Sequence, residues 1–174
     1  LWMGGDGLCV DAAGNLFFEV ANGSFDAAPS LGNGVDYGDS FMRLSTAGNG
    51  LAVADYFTPF NQSEMQARDA DFGSGGALLL PDEVGSAAHP HLIVGGDKSS
   101  NIYLVDRDQM GHHNLTDNHQ IVQEIHADVG SMFGTPAYFD HHLYYQGIGG
   151  VMKAYAIANG HINPYAFQTE SQGR

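Results

Sequence analysis

The residues best suited to chemistry are nine histidines, His89, His91, His112, His113, His119, His126, His141, His142 and His161. Imidazole is the commonest transition-metal ligand and the one side chain that titrates near neutrality unperturbed. His89-Pro90-His91 leads into an apolar run, and alternate residues of an extended chain share a face. Two imidazoles could therefore share a metal, with a third ligand from His112 or His113. His141 and His142, as strand neighbours, would point to opposite faces and could not chelate together. No HExxH or comparable zinc spacing occurs, so the favoured reading makes these histidines loop and turn residues.

Carboxylates supply a second set of candidates. Asp36 with Asp39, Asp69 with Asp71, and Asp106 with Asp108 place oxygen ligands two or three residues apart in loop-like sequence, a spacing that calcium uses. None belongs to a twelve-residue helix–loop–helix site. Turn capping, in which Asp accepts from nearby backbone N–H groups, accounts for the same positions. Asp69 and Asp71 are the pair to hold a metal if there is one. Ser74, in Gly73-Ser74-Gly75-Gly76, lacks the strand–elbow–helix setting of a nucleophile and reads as a tight turn. Gly95-Gly96-Asp97 runs into another strand rather than the helix a phosphate cradle needs. The single cysteine, Cys9, excludes an internal disulfide, a four-thiolate zinc site and a CxxC pair. Sequons at Asn22, Asn61 and Asn114 would carry glycans only in a eukaryotic secretory protein.

The elements that must position these groups are short strands. Runs of four to seven Val, Phe, Tyr, Leu and Ile residues are punctuated by Gly, Asn, Asp or Pro. Residues 62–70 and 110–118 depart from that pattern. Ala12-Ala13-Gly14-Asn15 and Thr46-Ala47-Gly48-Asn49-Gly50 are turn sequences that join strands 8–11 to 16–20 and 40–44 to 51–57. The same order then recurs twice, at 75–80, 91–95, 101–105 and 121–125, and at 135–139, 142–146, 151–157 and 162–167. Residues 21–38 form a long insertion in the first unit. A loop of that length without regular structure is more often functional than filler, so Phe25 and Tyr37 mark the preferred ligand or partner surface. Tyr103, Tyr138, Tyr144, Tyr145 and Tyr155 fall in strands and would pack between units.

The predicted fold class is therefore all-β, a single domain 1–174 forming a β-propeller fragment of about three four-stranded antiparallel blades. The blades span approximately 7–58, 74–126 and 134–167. Propellers close with four to eight blades, so three leave two open faces. The remaining blades or a second copy of the chain are the expected partners.

Length and charge bound the function. The 174 residues suit one domain, and a hydrophobic share of 43% with only 15% charged residues excludes the disordered class. A formal charge of −14 repels phosphates, so no nucleic acid or anionic membrane surface is expected as a partner. No apolar run is long enough to insert in a membrane. The start at Leu1, without a basic region followed by an apolar one, reads as a secretory signal absent or removed. The polar run 169–174 reads as leaving the third blade.

Over most of its length the chain resembles the quinoprotein-like, or PQQ-binding-like, β-propeller family of secreted and periplasmic bacterial proteins. The resemblance rests on residues 38–44 (GDSFMRL), 55–61 (DYFTPFN), 71–76 (DFGSGG), 102–108 (IYLVDRD) and 134–138 (GTPAY). It implies a ring of six to eight blades and an extracytoplasmic location. Some members are dehydrogenases holding pyrroloquinoline quinone and calcium near the axis, and many are cofactor-free scaffolds. The family's quinone enzymes carry an adjacent-cysteine disulfide and a tryptophan floor. Cys9 has no partner cysteine, and the sole tryptophan, Trp2, precedes the first strand. The expected function is a non-catalytic binding or scaffold portion of such a propeller, with no cofactor and no pyrroloquinoline quinone expected; a hard cation such as calcium is what its acids could take. The alternative is an arc of a quinone- and calcium-dependent dehydrogenase.

Overall fold

The structure is a computed structural model that describes residues 7–127, 129–165 and 167–172. Trp2 and the last two residues of the chain lie outside the described residues. It is mostly β, built from several antiparallel sheets, none of them closed.

Three of these sheets carry the architecture, and each takes its four main strands in chain order. The first joins Cys9–Val10, Leu16–Val20, Ser40–Ser45 and Ala52–Thr58. Leu78–Leu79, Leu92–Gly96, Asn101–Asp106 and Gln123–His126 form the middle sheet. The third joins Ala137–Phe139, His142–Tyr145, Val151–Ala158 and Phe167–Gln172, with His161–Ile162 pairing beside it on Val151–Ala158. Gly130–Ser131 and Ile148–Gly149 make a separate two-stranded ladder.

Alternation along these strands decides which residues meet. Leu16, Phe18 and Val20 fall on one face of their strand, Phe17 and Glu19 on the other. Phe17, Phe41 and Phe57 of the first sheet share a buried cluster with Ile93, Tyr103 and Val105 of the middle one. The opposite face of the middle sheet, with Leu92, Val94, Ile102 and Leu104, shares a second cluster with Leu143, Tyr145, Tyr155 and Ile157 of the third. The middle sheet is thus covered on both faces, which explains why Leu92–Gly96 is buried at every position while Leu16–Val20 alternates.

Polar bonds hold the sheets in these positions. Gly76 N donates to Glu19 Oε2 at 2.8 Å, and Arg43 Nη1 donates to Arg107 O at 2.8 Å. Between middle and third sheets, Tyr155 OH donates to Ala127 O at 2.6 Å, while Gln123 exchanges two bonds with the backbone of Ile162 at 2.8 and 2.9 Å.

Several expectations need correction. The fourth strand of the third sheet is Phe167–Gln172 rather than 162–167, so the polar run is strand from Thr169 to Gln172. Asn163-Pro164 explains the shift, because proline lacks the N–H a ladder needs and Ile162 is used by the short His161–Ile162 pairing instead. In agreement with the break in strand pattern over residues 62–70, Gln62–Arg68 is a helix, closed by Asp69 in the left-handed region at φ 55°. Within 110–118, His112–His113 pairs in parallel with Phe57 and Thr58 and covers the edge of the first sheet. The 21–38 insertion is also less irregular than expected. It contains the 3-10 turn Pro29–Leu31 and an isolated antiparallel bridge between Phe25 and Tyr37.

Candidate functional site

Of the six acids that sequence singled out, Asp39, Asp69 and Asp71 come together at one corner where the first and middle sheets meet, whereas Asp36 lines a groove beside the insertion and Asp106 and Asp108 pair with His89 and His91. Asp71 is 2% exposed. Its Oδ1 accepts from Asn22 N at 3.0 Å, and its Oδ2 pairs with the Lys98 ammonium. Lys98 Nζ also lies 3.0 Å from Asp69 Oδ2, and Asn22 Nδ2 donates to Asp69 Oδ1 at 2.8 Å. An ammonium thus bridges the two carboxylates proposed for a metal. Burial by itself would lower the Lys98 pKa, but the bonds to Asp71 and Asp69 hold it above the usual lysine range.

Asp39 and Asp97 complete the corner. Asp39 Oδ1 accepts from Phe72 N at 3.1 Å and Oδ2 from Gln62 Nε2 at 3.2 Å. Burial pushes its pKa from 3.8 to about 6, with Asp71 and Asp97 adding to the rise against those two hydrogen bonds. Asp97 accepts from Asn101 N at 2.8 Å, Asn101 Nδ2 at 2.9 Å and Tyr103 OH at 2.9 Å. Burial nevertheless raises its pKa. Asp11 does the same to Asn15, at 2.8 Å for both the backbone and the side-chain nitrogen. These Asp-x-x-x-Asn turns are the local capping that explains loop aspartates without a ligand.

Ser74 is likewise committed to structure. It is fully buried, and its Oγ is directed at Met132 O at 2.6 Å and Asp71 O at 3.2 Å.

The histidines separate rather than gather. His89 Nδ1 lies 2.8 Å from Asp106 Oδ2, whereas His91 Nδ1 lies 2.7 Å from Asp108 Oδ2. Both precede their strand, which begins at Leu92, so strand alternation does not align them. His112 pairs with Asp55 at 3.0 Å and stacks on Tyr56, while His113 meets Phe25 at 4.9 Å between ring centres. Burial lowers the His113 pKa. His141 lies in a turn at φ 57°, and His142 Nδ1 bonds Asp140 O at 2.7 Å. Among the described residues no group of three His, Cys, Asp or Glu side chains is placed to hold a metal ion.

The insertion borders one of several cavities among the described residues. Its neck is tied by Gly38 N donating to Ser24 O at 2.8 Å and Gln62 Nε2 donating to Gly23 O at 2.9 Å. Phe25 and Tyr37 both lean on Tyr56, at 6.1 and 5.1 Å between ring centres. Tyr37 then walls a groove of about 460 Å³ whose floor is Phe18, Val20, Met42, Leu44 and Val53, on the face of the first sheet that carries no other sheet. Phe25 does not line that groove. Asp36 is the one acidic side chain lining the groove. Volumes of this order accept a bulky side chain or a small molecule. Sequence singled out the two aromatics of the insertion. It missed that the strand residues opposite Phe17 and Phe41 would form the floor, although the alternation Leu16, Phe18, Val20 carried that signal.

Compared with known proteins, the chain matches no family model, no curated protein and no solved structure.

Proposed function

We propose that the chain is a non-catalytic binding and scaffolding portion of a quinoprotein-like β-propeller, its three sheets being consecutive blades. One observation carries the reading. Aligning the three sheets on their first strands, Cys9 with Leu78 and Ala137, matches their cross-strand partners Phe17, Val94 and Tyr144. The face bearing Phe17 packs on the middle sheet, and the face bearing Val94 packs on the third. Each sheet therefore lays the same face on the opposite face of the next. Repetition of one face-to-back relation is how propeller blades succeed one another. It leaves the Phe18 face of the first sheet and the Tyr144 face of the third without a sheet against them, the former being covered in part by Phe25 and Tyr37 of the insertion around Tyr56.

The non-catalytic part of the proposal is supported by how the reactive groups are used. Asp69 and Asp71 are engaged by Lys98, Ser74 by backbone carbonyls, and His89 and His91 by separate carboxylates. An extracytoplasmic location belongs to the same proposal and rests on the resemblance alone. No helix among the described residues is long and apolar enough to cross a membrane.

The test is addition of pyrroloquinoline quinone and calcium, followed by thermal unfolding and reduction of an electron-accepting dye. The proposal expects neither a raised unfolding midpoint nor dye reduction. A quinone-dependent gain in both would overturn it in favour of a dehydrogenase arc.

A further inference from the structure

We propose that the partner covering both end faces is a second copy of this chain, docked head to tail; the inference rests on the blade reading above and names its partner. The required contact already occurs twice within one molecule, first sheet on middle and middle on third. The end faces are the two unused halves of that same contact. A second copy presents the Tyr144 face to the first sheet and its own Phe18 face to the third, so one chain supplies both complements.

The faces suit such an occupant. On the first sheet the strand positions Val10, Phe18 and Val53 are apolar, with Val10 58% and Val53 46% exposed, while Met42 and Tyr56 on the same face are already buried, Tyr56 beneath Phe25 and Tyr37 of the insertion. On the third sheet Phe139 and Phe167, 71% and 75% exposed, flank Tyr144. Although the chain carries 20 Asp+Glu and 6 Lys+Arg, none occupies the strand positions of either face. Asp36 of the insertion is the one acid lining the groove, so the strand surface itself matches a second apolar sheet face rather than a charged partner. The 460 Å³ groove gives an incoming aromatic side chain a pocket to fill. Two copies of three sheets make six, within the range at which such rings close, and closure stops a head-to-tail contact from growing into a fibre.

Sedimentation velocity on the chain over a range of micromolar concentrations tests this, with Val53→Glu to block the first-sheet face and Phe139→Glu to block that of the third. Both side chains are exposed in the single copy, so the fold survives; Val10→Glu and Phe167→Ser are a second pair. The wild type is expected to form dimers, and each variant to weaken association at least about tenfold. Mixing the two variants restores a heterodimer, because one copy keeps the first-sheet face and the other keeps the third. Single copies throughout, dimers indifferent to both variants, or a mixture that fails to associate would each overturn the proposal. An apolar dye separates its failure from that of the blade reading. Single copies that bind dye on both faces leave the blades standing and remove only the second copy; single copies that bind none remove both.

Discussion

Lys98 Nζ lies 3.0 Å from Asp69 Oδ2 while pairing with the buried Asp71 on its other side. The lysine thereby ties the strand junction at Asp97-Lys98 of the middle sheet to the loop that follows the helix Gln62–Arg68. Replacing it strands the Asp71 charge in a site that is almost closed to water. Lys98→Met is expected to lower stability by about 3 kcal/mol, the cost of breaking rather than replacing a buried ion pair. Denaturant unfolding of the purified variant measures it; a change below about 1 kcal/mol would mean the pair is effectively solvated.

Asp39 makes the protein sensitive to pH in the mildly acidic range. Burial raises its pKa from 3.8 to about 6, so the folded chain binds this proton more tightly than the unfolded chain. The stabilisation from that proton is complete below pH 3.8 and is lost as the pH rises through about 6. Asn at this position keeps the left-handed backbone at φ 53° and cannot titrate. Thermal unfolding across this range should show the wild type losing stability relative to Asp39→Asn as the pH climbs. Parallel curves for the two would contradict the shift.

Two tyrosines in the same cluster predict opposite signs for the same substitution. Tyr145 OH is buried without a hydrogen-bond partner among the described residues, and burial, then Glu19 and Tyr155, push its pKa well up. Tyr155 OH donates to Ala127 O at 2.6 Å. Tyr145→Phe removes an unsatisfied hydroxyl and is expected to stabilise by about 1 kcal/mol, whereas Tyr155→Phe forfeits a hydrogen bond and costs about 1 kcal/mol. Equilibrium unfolding of the pair is the check, and equal effects would place a hydrogen-bonding group against Tyr145.

Gly95 faces the first sheet where a side chain has no room. A Cβ there would collide first with the buried Glu19 carboxylate and would lie 2.8 Å from the ring of Phe41, which is itself fully buried. Gly95→Ala is expected to cost about 1–3 kcal/mol by forcing the first and middle sheets apart. The same substitution at Gly134, where nothing lies within 4 Å of the added carbon, should be nearly neutral.

Much of the strand order was legible in the sequence, because turn residues at Gly14-Asn15 and Gly48-Asn49 bracket apolar runs too short for helices. The all-β class and three successive sets of four strands follow from that punctuation. What the sequence concealed were features set by distant partners. The pairing of His112–His113 with Phe57 and Thr58 depends on a strand edge some fifty residues earlier. Lys98 has no local feature to announce that it will meet Asp69 and Asp71, so a pair of loop acids reads as a cation site until the lysine is seen beside it. The groove under Tyr37 was half legible. Its insertion was visible by length, its floor only once the face opposite Phe17 proved to carry no other sheet.

The claim on which the account turns is that successive sheets repeat one face-to-back contact and leave one copy of each face unused. Its most direct test is the binding of an apolar fluorescent dye at dilutions where the chain sediments as single copies. Two dye sites are expected, one removed by Val53→Glu, the other by Phe139→Glu, and both by the double variant. A single-copy chain that binds no dye, or whose dye binding neither substitution alters, would contradict it.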